Sequence, residues 1–209
     1  MPAATNWTIA ESDPHAFERI VAVLLEGRTV LIPTDTVYGV GAVPSIPGAT
    51  DRVFALKERS LASPLAVLVA DVEQARTLVE RPSPEVAGWM EEFWPGPLTL
   101  VLPRSTAAAS LALGGPGDTI GVRCPDHDLV RAVAAEVGPI ATTSANRHGA
   151  ATPTTAAAAA AALVGPVDLV VDGGERGTLA STVVDATWVS WRLLREGAIP
   201  IERLRAGRP

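Results

Sequence analysis

Thr34, Asp35, Thr36 and Tyr38 crowd the stretch PTDTVYGVGA, residues 33–42, directly after the apolar run Thr29-Val30-Leu31-Ile32. Hydroxyls that donate and accept hydrogen bonds can read a small polar molecule, and Gly39 and Gly41 would allow close backbone approach. A turn closed by an aromatic plug at Tyr38 would use the same residues. A second cluster, Lys57-Glu58-Arg59 with Ser60 and Ser63 after it, puts two cations where a helix runs into a loop. Cations are favoured near helix C-termini in any protein. The same pair also suits a phosphate clamp, with Arg59 as a planar fork and Lys57 as a point charge. Third is Gly121-Val122-Arg123-Cys124-Pro125. Arg123 can hold a carboxylate through two parallel bonds, or pair structurally with Asp126 or Asp128. Cys124 reads as small core filler rather than a nucleophile served by His127.

The fourth cluster is Thr142-Thr143-Ser144-Ala145-Asn146, followed by Gly149, Thr152 and Thr154. Such a loop can offer N–H groups and hydroxyls to phosphates, or Asn and Ser can simply cap a turn. The fifth, Ser181-Thr182-Val183-Val184-Asp185 with Leu194-Arg195-Glu196-Gly197, is unremarkable alone. No Walker A pattern, strand-following GxGxxG, HExxH or GxSxG occurs. His15, His127 and His148 lack metal-ligand spacing, and most of them read as surface residues. The clusters describe a polar, cation-bearing cleft for a small zwitterion and a phosphorylated ligand, without a protein nucleophile.

The elements that must position these residues follow from periodicity. Asp13-Pro14 starts a helix with Phe17, Ile20, Val21, Leu24 and Leu25 inward, and Gly27 stops it. Helices are expected over 51–57, from Asp71, from Pro84 to Trp94, from Asp126 through Val137, and over Thr155–Val164. Strands are expected over 29–32, 65–69, 98–102, 120–123, 140–143, 169–172, 181–185 and 188–194. Residues 107–118 read as a loop or frayed helix, and 147–154 and the tail after Pro200 as flexible pieces. Helices and strands alternate, then strands cluster, which gives an α/β domain on a mixed sheet with the polar clusters at strand ends. A chain of 209 residues, 47% apolar and 19% charged, folds around a real core as one domain, 1–209, with its centre at about 12–200. A net charge of −6 argues against a generic nucleic-acid coat. One cysteine excludes an internal disulfide framework and fits a reducing cytoplasm. Neither a secretory signal nor a membrane span is visible, so a soluble cytoplasmic protein is expected.

Taken in order, these pieces resemble the YrdC-like family, the threonylcarbamoyladenylate synthases. The matching segments are PTDTVYGVGA, Lys57-x-Arg59 with SPL after it, FWPGPLTLVL, GVRCPDH, TSANRHGAATPT, STVVD and LREGAI, spanning about residues 28–199. The resemblance implies a twisted mixed, mostly parallel sheet with surrounding helices and an open concave cleft. It implies that L-threonine, bicarbonate or CO2 and ATP give threonylcarbamoyl-AMP and pyrophosphate. The product would pass to a transferase that makes N6-threonylcarbamoyladenosine at position 37 of tRNAs. By the same resemblance, threonine lies near Thr36, Arg123, Ser144 and Ser181, with Arg123 on its carboxylate and Tyr38 shaping the pocket. ATP lies against Lys57, Arg59, Ser63, Thr119, Asn146, Thr154 and Arg195, with Lys57 and Arg59 on the phosphates as the catalytic pair. Mg2+ would arrive with the triphosphate, and no protein metal site is implied.

Two departures stand out. Ser60 occupies a place where many relatives carry proline, and Ala66–Val69 offers no histidine to the threonine pocket. The chain also reads as a short form without the C-terminal domain of longer members. The rival reading is a double-stranded RNA or tRNA cradle that makes no adenylate; overall acidity weighs against it. A carbamoyl-transfer role, as in YrdC-like domains fused to larger carbamoyltransferases, is the third.

Overall fold

Short apolar runs bounded by Gly, Pro and polar residues become strands, and the longer periodic segments between them become helices. The computed structural model describes residues 7–147, 150–188 and 190–206. In chain order these form β1 (Trp7–Ala10), α1 (Ala16–Leu25), β2 (Val30–Ile32), β3 (Gly39–Ala42), α2 (Ala49–Lys57), β4 (Ala66–Leu68), α3 (Val72–Leu78) and α4 (Pro84–Phe93). There follow β5 (Leu98–Pro103), a 3-10 turn (Thr106–Ala108), β6 (Thr119–Arg123), α5 (Asp128–Val137), β7 (Ile140–Ser144), α6 (Ala156–Ala161), β8 (Leu169–Asp172), β9 (Thr182–Asp185), β10 (Arg192–Arg195) and α7 (Ile201–Ala206).

All ten of these strands share one sheet in the order β1-β8-β2-β3-β7-β4-β6-β5-β9-β10. Parallel and antiparallel neighbours are interleaved, so six strands run one way and four the other. The expected mixed sheet with surrounding helices is what forms.

The two faces of this sheet have different fates. On one, Leu98, Leu100, Leu102, Ile120 and Val122 join Val40, Val67, Ala141 and Val184 in a large core that includes Val53 and Phe54 of α2 and Trp89, Met90 and Phe93 of α4. On the other, α1 and α5 pack Ile20, Leu24, Val130 and Val133 over Val30, Ile32, Leu169 and Val171, reaching as far as Leu68 and Ile140. Burying each such side chain is worth about 1.5–3 kcal/mol, so this layering fixes the strand phase. Beyond α5 the second face, from β3 to β9, lines an open cavity. Period-two alternation then sends the neighbours of each core residue into that cavity.

Several local expectations shift. Asp13 does not cap α1; it accepts from the His15 backbone N–H at 2.8 Å and from Arg19 at 2.9 Å, and the helix begins at Ala16. Asp126 likewise does not cap α5, which begins at Asp128 after His127. Asp71, Ser83 and Thr155 do cap their helices, each accepting from a backbone N–H three residues on. The alanine-rich helix ends at Ala161, and the last strand covers Arg192–Arg195 rather than 188–194. Residues 201–206 form α7, with Leu204 fully buried, where a flexible tail was expected. His127 is half-buried, with its Nε2 3.1 Å from Glu11. His148 and Gly149 lie outside the described residues.

β3 and β1 were not expected as strands. β3 pairs Gly39 with Ser144 and Gly41 with Thr142. Its glycines serve that pairing: a Cβ on Gly41 would sit 2.7 Å from the Ala141 carbonyl oxygen and 2.8 Å from Thr142 Oγ1.

Candidate functional site

The cavity on the uncovered half of the sheet measures about 790 Å3. That is ample for a nucleotide beside a small amino acid. Nine of the eleven side chains expected to touch substrate line it: Lys57, Arg59, Ser63, Thr119, Arg123, Ser144, Asn146, Ser181 and Arg195. Thr36 lies behind the wall, held by Arg123. Thr154 is not among the lining residues; its carbonyl accepts from the Arg176 N–H at 2.8 Å.

Local geometry explains why the Lys57-x-Arg59 pair faces inward. Lys57 ends α2, and Glu58 takes φ 50°, a left-handed cap that turns the chain back so that the Arg59 N–H reaches the Phe54 carbonyl at 3.0 Å. Arg59 Nε and a terminal nitrogen then donate to the carbonyls of Ser63 at 2.8 Å and Pro64 at 2.9 Å. Lys57 is buried to 3% exposure. Its ammonium donates to the Ser144 carbonyl, to Thr143 Oγ1 at 3.3 Å and to Asn146 Oδ1 at 3.4 Å. All three of its donors are thus spoken for. Burial first, and Arg59 second, bring its pKa down to about 8.

Arg123, 6% exposed, donates Nε–H to the Gly96 carbonyl at 3.0 Å, Nη1 to Thr36 Oγ1 at 2.9 Å and Nη2 to Asp35 Oδ1 at 2.5 Å. Neither Asp126 nor Asp128 is its ion-pair partner; Asp35 is. Arg195 forks onto the Ser181 carbonyl at 3.1 and 2.9 Å and reaches Ser181 Oγ at 3.2 Å. Ser181 Oγ in turn meets Thr99 Oγ1 at 2.8 Å. Burial lowers the pKa of Arg59, Arg123 and Arg195, and Arg123 and Arg59 lower that of Arg195 further. Four cations therefore gather around one cavity whose described lining contains no aspartate or glutamate. The arrangement holds together only because carbonyls and hydroxyls solvate it, and it is complementary to a polyanion.

Tyr38 is fully buried and plays another part than shaping the pocket. Its hydroxyl donates to the Gly174 carbonyl at 2.6 Å and accepts from the Gly173 N–H at 3.1 Å, pinning the turn after β8. Cys124 is buried with its pKa pushed up to about 11, chiefly by burial, which suits core filler and not a thiolate. Thr99 escaped the sequence reading. Its signal was a lone hydroxyl in Leu98–Leu102, out of phase with the leucines. Among the described residues, no cluster of three His, Cys, Asp or Glu side chains is placed to hold a metal. No helix among them is long and apolar enough to cross a membrane.

Residues 22–197 match the Sua5/YciO/YrdC family, which carries the description "Telomere recombination". Threonylcarbamoyl-AMP synthase of Pyrococcus abyssi is 39% identical over 181 residues, 86% of this chain and 53% of that protein. The Bacillus subtilis protein of the same name is 38% identical over 201 residues, 95% of this chain and 58% of that one. The chain thus spans a little over half the length of these relatives. Among solved structures, P. abyssi Sua5 complexed with L-threonine superposes with a TM-score of 0.85 at 34% identity, covering 97% of this chain and 60% of that one.

Proposed function

The chain belongs to the Sua5/YciO/YrdC family, and from that premise we propose that it is an L-threonylcarbamoyladenylate synthase. The observation that carries this reading is the set of four cations and neutral hydroxyls around a cavity with no described carboxylate in its lining. The first step joins the neutral amine of L-threonine to CO2, forming the N–C bond of a carbamate with loss of one proton. A carbamate oxygen then attacks the α-phosphorus of ATP, the bond to the β-phosphate oxygen breaks, and pyrophosphate leaves with its electron pair. Both nucleophile and leaving group come from the substrates, so positioning and charge neutralisation suffice.

The family resemblance supplies the roles, and the cavity lining is compatible with them. Arg123 keeps one N–H on each terminal nitrogen for the threonine carboxylate, with Thr36 fixing its plane. Ser144 and Ser181 supply hydroxyls beside it. In this reading Arg59, Arg195 and Lys57 neutralise the phosphates, Lys57 as a point charge because its three N–H donors are already bonded, and Ser63, Thr119 and Asn146 contact the nucleotide from the same lining. Mg2+ enters as part of the ATP substrate, since a wall of cations and hydroxyls without carboxylates does not suit a resident magnesium site. The product, a mixed anhydride, requires an acceptor; a tRNA threonylcarbamoyltransferase that modifies adenosine is the fitting consumer.

Pyrophosphate release from Mg2+–ATP across a panel of amino acids tests the reading. Release that needs both L-threonine and bicarbonate is expected. Release independent of either, or none with threonine, would refute it, and tRNA binding in that case would point to the RNA-cradle alternative.

A further inference from the structure

The four cations of the cavity are not equivalent. Lys57, Arg59 and Arg195 meet only carbonyl, hydroxyl and amide oxygens among the described residues. Arg123 alone has a carboxylate, with Asp35 Oδ1 2.5 Å from Nη2 and side chains 7% and 13% exposed. Asp35 is not part of the cavity wall; it grips the guanidinium from behind. The grip is itself braced. Thr36 Oγ1, which accepts from Arg123, lies 3.1 Å from Thr34 Oγ1, and the Thr34 hydroxyl donates to the Val37 carbonyl at 2.7 Å. Gly96 closes the third side through its carbonyl.

A close ion pair looks nearly neutral from several ångströms away, whereas three unpaired cations keep their field. A zwitterion brings a carboxylate already balanced by its own ammonium. A triphosphate brings several negative charges with weaker compensation. We infer that Asp35 is a positioning residue that keeps the phosphates off Arg123, by cancelling the charge of that arginine without using up its two remaining terminal donors. The inference rests on the functional reading above and adds the origin of its selectivity. Polyphosphate is drawn to Lys57, Arg59 and Arg195 because, of the four cations, only Arg123 has a carboxylate partner among the described residues. Without Asp35, Arg123 would add an uncompensated charge to that field, and phosphate would compete with the threonine carboxylate for it.

Calorimetric titration of the full chain with L-threonine, in the absence and presence of saturating inorganic pyrophosphate, tests this. Wild type should bind threonine equally well in both conditions. Asp35→Asn should bind threonine about tenfold more weakly, the scale of a broken contact pair, and pyrophosphate should weaken it further by competition. Asp35→Glu, which keeps the charge, should show no competition. Loss of threonine affinity in Asp35→Asn without pyrophosphate competition would mark a merely structural role and overturn the inference, as would unchanged affinity. If Asp35→Asn does not fold, competition by pyrophosphate in Asp35→Glu would overturn it instead. Wild type that binds no threonine would fail the functional reading itself, a result distinct from both.

Discussion

Lys57 carries the sharpest pH signature at the level of single residues. Its ammonium is buried, and its pKa falls from 10.5 to about 8. Between those values the unfolded chain holds a proton that the folded chain has lost, so stability from this group rises as pH climbs from 8 towards 10.5. On the proposed function, activity moves the other way, because a neutral amine cannot neutralise phosphate. The KM for ATP should rise above about pH 8, while the KM for threonine stays nearly flat; a flat ATP profile would remove Lys57 from the phosphates. Arg59→Ala should cost roughly 10²–10³ in kcat/KM with the fold intact, read by pyrophosphate release and circular dichroism. Arg123→Ala should raise the threonine KM far more than that of ATP. Lys57, Arg59, Arg123, Ser144 and Asn146 stood out in polar clusters whose chemistry had structural readings too, and only the family resemblance turned them, with Thr119, into one site. The Asp35 partner of Arg123 was not legible, since the two are 88 positions apart and Asp126 and Asp128 lay closer in the chain.

Secondary structure was legible where periodicity was long and hidden where it was short. The helix from Pro84 announced itself through its opening proline and the Pro95-Gly96-Pro97 breaker, whereas α2 was expected over 51–57 and begins two residues earlier, at Ala49, without a side-chain cap. β3 did not announce itself, because Gly39 and Gly41 have low strand propensity and read as a turn. Only the partner strand explains them: β7 brings Thr142 within contact distance of both. Gly41→Val should therefore destabilise the protein by about 1–3 kcal/mol through overpacking between β3 and β7, measured by urea unfolding. A variant as stable as wild type would mean that these strands can separate without cost. The caps expected from Asp13 and Asp126 were lost to a different geometry: Asp13 instead bonds His15 N–H and Arg19. α7 was invisible because Pro200 looks like an ending, and only the buried Leu204 side chain gives it a reason to form.

Taken as a whole, the molecule is acidic, with a net charge of −6, yet concentrates four cations on one sheet face. Composition showed the first fact and could not show the second, because the sheet order joins strands distant in sequence. Mutual repulsion among those cations weakens the ligand-free fold, and a bound anion relieves it. Pyrophosphate at about a hundred times its Kd should raise the melting temperature by roughly 5–10 °C. Arg195→Ala should lose that shift while the ligand-free protein melts no lower than wild type; an equal shift in the variant would place Arg195 outside the anion site. Alternation in the central strands has an evolutionary consequence. Positions 98, 100, 102, 120 and 122 belong to the core, whereas 99, 101, 121 and 123 face the cleft. A lineage can therefore rewrite the odd letters to change what is recognised while the even letters keep the protein foldable. A one-residue deletion in β6 would exchange the two scripts at a stroke. Saturation mutagenesis of β5 and β6 should thus yield two interleaved fitness profiles, one tracking abundance and the other turnover.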